Sequence, residues 1–311
     1  MSAAGIAFAL GAALAWGTGF PAIAACMNYI APLWTTTIRF GIALPALLIV
    51  LAIVEGWRAL RYDGRFWRVF ATGAIGMGGY NVFGVYGIKL AGAEHAALLF
   101  ATVPLMTTVV VAVLSRRMPT ALTLGCILAA LIGISLVITG GNFAGFFHNA
   151  SVGGDALLLI ASLTWVVYTI ERGRFADWSS LRFTSLTLIS GEALIVVAAF
   201  IATKFFGETF PDGNALHSAS WLLGYAGLVP VIAALLCYNA AVARLGPATA
   251  TLFINLVPVV TFTVQALQGA RLPSVEYAGA TVVIAALVVN SLAMIRNGSV
   301  ALQAHAHPRI A

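Results

Sequence analysis

Leu98-Leu99-Phe100-Ala101-Thr102-Val103-Pro104 and Leu252-Phe253-Ile254-Asn255-Leu256-Val257-Pro258 are two copies of one segment, set 154 residues apart. Working outward at the same offset, residues 67–140 superpose on 221–294 without a gap. Trp67 meets Trp221, Gly73 meets Gly227, Gly92 meets Gly246, Arg117 meets Arg271, Pro119 meets Pro273 and Gly125 meets Gly279. Each copy carries five apolar runs, and an odd number of membrane crossings turns the second copy over relative to the first. Inverted repeats of this kind build secondary transporters, whose solute site lies between the halves near the bilayer midplane.

The composition supports a membrane protein. Hydrophobic residues make up 61% of the chain and charged residues 8%, against about a quarter charged in soluble domains. Runs of about 20 apolar residues cross a hydrocarbon core about 30 Å thick at 1.5 Å per residue. Ten spans are predicted, at 4–27, 32–54, 67–88, 94–115, 119–140, 153–171, 181–203, 218–241, 246–269 and 274–295. The fold class is therefore an all-α integral membrane protein of two inverted five-helix repeats. The first repeat occupies 1–143, a non-cytoplasmic linker 144–152, the second repeat 153–296 and a cytoplasmic tail 297–311.

The net charge of +6 does not imply a nucleic-acid partner, because its distribution follows the loops. Eleven of the 16 Lys and Arg fall on the amino-terminal side of the predicted spans, including Arg58, Arg61, Arg65, Arg68, Arg172 and Arg174. Lys89, Lys204 and Arg271 fall on the other side, and Arg39 and Arg182 lie in or at the edge of spans. The positive-inside rule then puts both termini in the cytoplasm. Trp34, Trp57, Trp67, Trp178, Phe205 and Phe206 stand near span ends, where aromatic belts are expected. Cys26, Cys126 and Cys237 are widely separated within or at the end of spans and lack metal spacing, so they read as small packing residues. His305 and His307 in the tail read as solvated, and no metal or other cofactor is implied.

Helix breakers mark the interior. Gly17, Gly19 and Pro21 in span 1, Pro104 in span 4, Pro230 in span 8 and Pro258 in span 9 free backbone groups at membrane depth. Such groups are tolerated where protein or a water-filled cavity satisfies them. Small residues such as Gly125, Ala129 and Gly133, four apart, suit a close helix seam.

Arg39-Phe40 in span 2, Tyr80-Asn81 and Phe83 in span 3, the two proline-centred spans followed by Arg-x-Pro, and the repeat itself resemble the EamA-type exporters of the drug/metabolite transporter superfamily. The resemblance covers essentially the whole chain. Within that superfamily the chain looks most like the bacterial inner-membrane exporters of aromatic amino acids. The resemblance implies export of aromatic and other apolar amino acids, with flat hydrophobic cations as a further class. It also implies a cavity lined by spans 1, 3, 4, 6, 8 and 9. The family usually carries Gly-Glu-Arg after spans 4 and 9. Here those places read Ser115-Arg116-Arg117 and Gly269-Ala270-Arg271, so no role of that glutamate carries over.

The candidate solute-binding residues are mid-membrane aromatics and amides. Trp16 and Trp165 occupy matching places in the first helix of each repeat, where an indole face suits either stacking on an aromatic solute or core packing. Tyr80, Asn81, Tyr86, Tyr238 and Asn239 offer hydroxyls and amides either to a solute or to neighbouring helices. Tyr168 lies three residues after Trp165 on the same helix face, and Phe100 and Asn255 flank the prolines. Two ionisable groups lie at membrane depth, where charge is costly and functional. Arg39 is read as a structural tether. Glu192 is either a coupling-proton carrier or a neutral interhelical residue. The partners implied are a small amphipathic solute and the bilayer, with oligomeric state left open and a monomer compatible. An intramembrane enzyme would need a catalytic constellation, and His95 beside Glu94 is too sparse for one. A channel would show charge rings or a filter-like segment, and neither is visible.

Overall fold

The computed structural model describes residues 3–116, 118, 120–139, 151–175, 177–245, 253–269 and 273–306. Arg117, Pro119, the linker to position 150, residues 246–252, Ala270, Arg271 and His307 lie outside the described residues. Within them the chain runs as ten helical segments. The first two are α1 (Ala3–Cys26) and α2 (Pro32–Glu55). The third, α3, joins Phe66–Thr72 to Tyr80–Ala91 through a π-helical stretch at Gly73–Gly79. The fourth, α4, is Ala93–Ala101 and Val103–Ser115, broken at Thr102. Then come α5 (Ala121–Thr139), α6 (Ser151–Arg172) and α7 (Ser180–Phe205). The eighth, α8, joins Gly213–Gly227 to Ala234–Leu245 through a π-helical stretch at Leu228–Ala233. The last two are α9, a 3-10 turn Phe253–Asn255 leading into Leu256–Leu267, and α10 (Ser274–Ala306). Helices are the expected solution in lipid, since each satisfies its own backbone.

The repeat seen in the sequence recurs in the irregularities. The two π-helical stretches coincide at the 154-residue offset, and the break at Thr102 falls one residue beyond the place of the 3-10 turn Phe253–Asn255. In α8, Pro230 has no N–H and its ring crowds the preceding turn, so the ladder widens. In α3 the same widening occurs over Gly73, Gly76, Gly78 and Gly79. The bareness of Gly73 is required, because a Cβ there would lie 2.0 Å from the Thr187 carbonyl of α7. Gly92, between α3 and α4, has φ +98°, which a side chain rarely tolerates.

Span 1 differs from expectation in that α1 is continuous through Gly17, Gly19 and Pro21. The carbonyl that Pro21 leaves without a donor is that of Gly17, and Thr261 Oγ1 of α9 donates to it at 2.7 Å. The break is thus repaired across the two repeats, as lipid requires. The expected seam on α5 holds in part: a Cβ on Gly133 would meet the Gly279 carbonyl at 2.6 Å, whereas one on Gly125 would meet nothing within 4 Å. Two of the aromatic-belt assignments change. Trp34 and Trp178 are buried, and Trp34 Nε1 donates to Thr203 of α7 at 2.9 Å. Trp57, Trp67, Phe205 and Phe206 are exposed, as a belt demands.

Candidate functional site

Between the repeats lies a narrow cleft with a cavity volume of about 80 Å³, partly open to its surroundings. Its walls come from α1, α2, α3, α4, α6 and α8. Compared with the lining expected from the family resemblance, α2 enters the wall through Arg39 and Phe40, and no described residue of α9 does. Pro230 and Val231 of the α8 π-helical stretch, and Met77 of the α3 stretch, lie in the wall, so both irregular turns face the cavity.

One side of the cavity is a cluster of rings. Trp16 and Trp165, one from each repeat, meet edge-on with ring centres 6.4 Å apart. Phe100 lies 5.8 Å from Trp16 and 5.9 Å from Trp165, and Tyr80 lies 5.2 Å from Trp165. The Trp16 indole N–H donates to the Pro230 carbonyl at 3.1 Å, which fixes the ring in the cavity wall. Opposite in character is Arg39, buried at 6% exposure. One of its terminal nitrogens donates to Asn81 Oδ1 at 2.5 Å, Asn81 Nδ2 donates to the Met77 carbonyl at 2.8 Å, and Arg39 Nε has no hydrogen-bond partner. Its guanidinium carbon sits 4.9 Å from the Phe40 ring centre. Arg39 therefore ties α2 to α3, as expected, and also faces the cavity, which was not expected. No Asp or Glu is among the residues lining the cavity.

The predicted site residues divide cleanly. Trp16, Tyr80, Asn81, Phe100 and Trp165 line the cavity. Tyr168 and Tyr238 stand behind the wall: Tyr168 stacks on Trp165 at 5.1 Å, and Tyr238 packs on Trp16 at 5.1 Å. Asn239 Nδ2 donates to Thr184 of α7 at 3.1 Å. Tyr86 donates to Glu208 Oε1 at 2.6 Å in a separate surface depression that Lys89 also lines. Asn255 is buried with neither side-chain polar atom hydrogen-bonded. Glu192 is off the cavity wall and packs against α2, where a Cβ on Gly41 would lie 3.8 Å from its Oε1. Among the described residues no ion pair joins Glu192 to Arg39. Ser162, beside the rings, was missed; a serine in an apolar run carries little signal on its own.

From the rings at its centre the cavity extends toward one end of the bundle. Wall residues run from Trp16 to Ile23 in α1 and from Met77 to Ile88 in α3, toward the turns after Cys26 and at Gly92. The opposite end is tied between repeats by ion pairs: Arg65–Asp177 at 2.8 Å, Arg68–Glu171 at 2.9 Å and Arg182–Asp63 at 2.6 Å. The Arg65 hydrogen bond holds the Asp177 carboxyl below its usual range. Solvent-screened pairs of this kind add little stability, so together they close that end without locking it.

A model of the EamA-like transporter family matches residues 3–139 and again 152–292. The chain is 28% identical over 289 residues to the uncharacterized transporter YrdR of Bacillus subtilis (strain 168), covering 90% of this chain and 89% of that one. It is 26% identical over 285 residues to the uncharacterized transporter YyaM of the same organism, covering 91% and 92%. The uncharacterized inner membrane transporter YedA of Escherichia coli (strain K12) is 28% identical over 200 residues, 63% of this chain and 61% of that one. A solved crystal structure aligns with 95% of this chain and 99% of its own at a TM-score of 0.67 and 22% identity, which shows the shared fold alone. The chain belongs to the EamA-like transporter family and is a multi-pass membrane transporter, not an enzyme.

Proposed function

We propose that this EamA-like transporter exports aromatic and other apolar amino acids, or similar amphipathic metabolites, across a bacterial inner membrane by alternating access. The observation that carries this reading is a single buried guanidinium set in a wall of aromatic rings, with no carboxylate in the lining. A buried arginine without a close counter-charge is costly. A solute carboxylate supplies that charge, since a guanidinium in the wall pairs best with a carboxylate. The solute's ring then stacks among Trp16, Tyr80, Phe100 and Trp165, and its ammonium lies over a ring face. Asn81 positions Arg39 through its hydrogen bond. Glu192, off the wall, takes a structural part, and Tyr168 and Tyr238 hold the two indoles in place.

Alternating access follows from the two ends of the repeat interface. Parting the ion pairs between 63–68 and 171–182 opens one end, while the opposite end closes over the rings. The excess of basic residues in the loops on the amino-terminal side supports a cytoplasmic position for both termini.

The test is counterflow of labelled tryptophan in proteoliposomes, challenged with a set of competitors. Phenylalanine competes strongly, phenylpropionate retains most of that effect, and phenethylamine and alanine compete weakly. Strong competition by phenethylamine with none by phenylpropionate would reverse the assignment of Arg39 and point to flat hydrophobic cations. Absence of saturable counterflow with every amino acid would remove the amino-acid reading.

A further inference from the structure

A second polar constellation lies beside the cavity, on the seam between the repeats. His95 of α4 and Asp155 of α6 are buried, at 6% and 1% exposure, and His95 Nδ1 lies 2.8 Å from Asp155 Oδ1. The other carboxylate oxygen, Asp155 Oδ2, is buried with no hydrogen-bond partner. Next to the pair, Gln265 of α9 donates to Glu94 Oε2 at 2.9 Å, a second bond between repeats. Ala96, adjacent to His95, and Leu158, one turn beyond Asp155, are cavity wall. The pair is intact although the cavity already reaches toward this end, so a further parting of α4 from α6 here breaks it and moves the wall with it.

The pair is not explained by packing. Two ionisable side chains in an apolar bundle cost more than an apolar pair of the same volume, and intramembrane ionisable residues mark ion or proton pathways. We propose that His95 and Asp155 form a proton-binding latch, so that closing this end of the carrier takes up one proton and opening it releases one. The step balances simply. With Nδ1–H donated to Asp155, the Nε2 lone pair takes a proton from hydronium: an N–H bond forms, one O–H bond of the hydronium breaks, and neutral water is left. The resulting imidazolium strengthens its bond to the carboxylate. The proton leaves by the reverse step once the pair is parted or faces the opened cavity, so solute and proton exchange across one interface.

Other groups act on this imidazole. Glu94 on its own helix and Glu276 on α10 are the further carboxylates that reach it electrostatically. Of the remaining helices packed on α4, α1 brings Cys26, α3 brings Tyr86 and Lys89, α5 brings Cys126, and α10 adds Tyr277. The inference rests on the transporter class and not on which solute is carried.

The first test needs no solute. In a cysteine-free background, a single cysteine replacing Ile88 in the cavity wall reports opening through its rate of maleimide labelling. A cysteine replacing the exposed Phe205 corrects for the reagent's own pH dependence. The corrected rate of the otherwise unchanged protein rises at least about fivefold between pH 5.5 and 8.5, the lower end of ordinary coupling between linked sites. His95→Gln and Asp155→Asn flatten that profile.

The second test uses proteoliposomes with the membrane potential clamped at zero. A one-unit pH gradient drives labelled tryptophan to no more than about tenfold accumulation at one proton per solute. Either substitution leaves counterflow but abolishes accumulation. A flat labelling profile in the otherwise unchanged protein overturns the latch, as does full accumulation in His95→Gln. If both variants fail to fold, the unsubstituted protein's labelling profile decides alone. A chain that does not carry tryptophan refutes the solute reading only, and the labelling test still decides the latch.

Discussion

Trp16 offers the sharpest test of the ring cluster, because its two contributions separate. Its N–H holds the Pro230 carbonyl at 3.1 Å, and its face lies among Phe100, Trp165 and Tyr238 at 5.8, 6.4 and 5.1 Å. Trp16→Phe keeps a ring and loses the hydrogen bond, which costs about 0.5–1.5 kcal/mol of stability. Trp16→Ala loses the face as well. Aromatic pairing contributes about 0.5–1.5 kcal/mol beyond area burial, which is roughly a 2- to 13-fold loss of affinity at about 1.4 kcal/mol per decade. That loss falls on tryptophan and phenylalanine and spares alanine. The assay is the concentration dependence of counterflow for each amino acid, with thermal unfolding followed in detergent. Trp165→Ala shows the same selectivity with a larger loss of stability, because Trp165 is buried and stacked on Tyr168. Equal loss for aromatic and aliphatic solutes, or none in a well-folded variant, refutes the stacking argument and returns both indoles to the core.

Three further outcomes are expected. Single cysteines at Asn149 and Arg61, in a background lacking the native three, label from opposite sides of the membrane with an impermeant reagent; labelling from one side removes the ten-span topology. Glu192→Gln, an isosteric change at a buried residue off the cavity wall, keeps counterflow and its pH profile nearly unchanged, and loss of proton-driven accumulation in that variant would make Glu192 the coupling group. Gly73→Ala, whose Cβ would fall 2.0 Å from the Thr187 carbonyl, destabilises by about 1–3 kcal/mol or more, whereas Gly125→Ala, with nothing within 4 Å, is nearly neutral in thermal unfolding.

The architecture was legible because lipid leaves the backbone few choices, and because the repeat printed its punctuation twice. Pro104 and Pro258 at one offset announced the paired breaks, and Trp16 and Trp165 at matching places announced two indoles that meet in the centre. What escaped was tertiary. Pro21 reads as a helix breaker, and nothing local reveals that Thr261, 244 residues beyond Gly17, donates to the Gly17 carbonyl that the proline orphans. The π-helical stretch of α3 has no proline to signal it; its glycines suggest packing first. Arg39 was recognised as a tether, but its exposure to the cavity depends on how α2 is rotated, which an all-round apolar helix does not record. His95 appeared isolated because its partner Asp155 is 60 residues away in the other repeat. Tyr86, Tyr168, Tyr238 and Asn239 shared the residue types of a binding site, and the structure gives each a protein partner instead.

The central claim is that an aromatic solute with a carboxylate binds between the repeats, its ring among the indoles and its carboxylate at Arg39. Crystals of the protein grown with 5-bromotryptophan test it directly through the anomalous signal of bromine. The account predicts one dominant peak in the central cavity, within van der Waals distance of Trp16, Phe100 or Trp165, and loss of that peak in Arg39→Gln. A dominant peak elsewhere, such as the depression beside Tyr86 and Glu208, or no peak at saturating ligand, would contradict it.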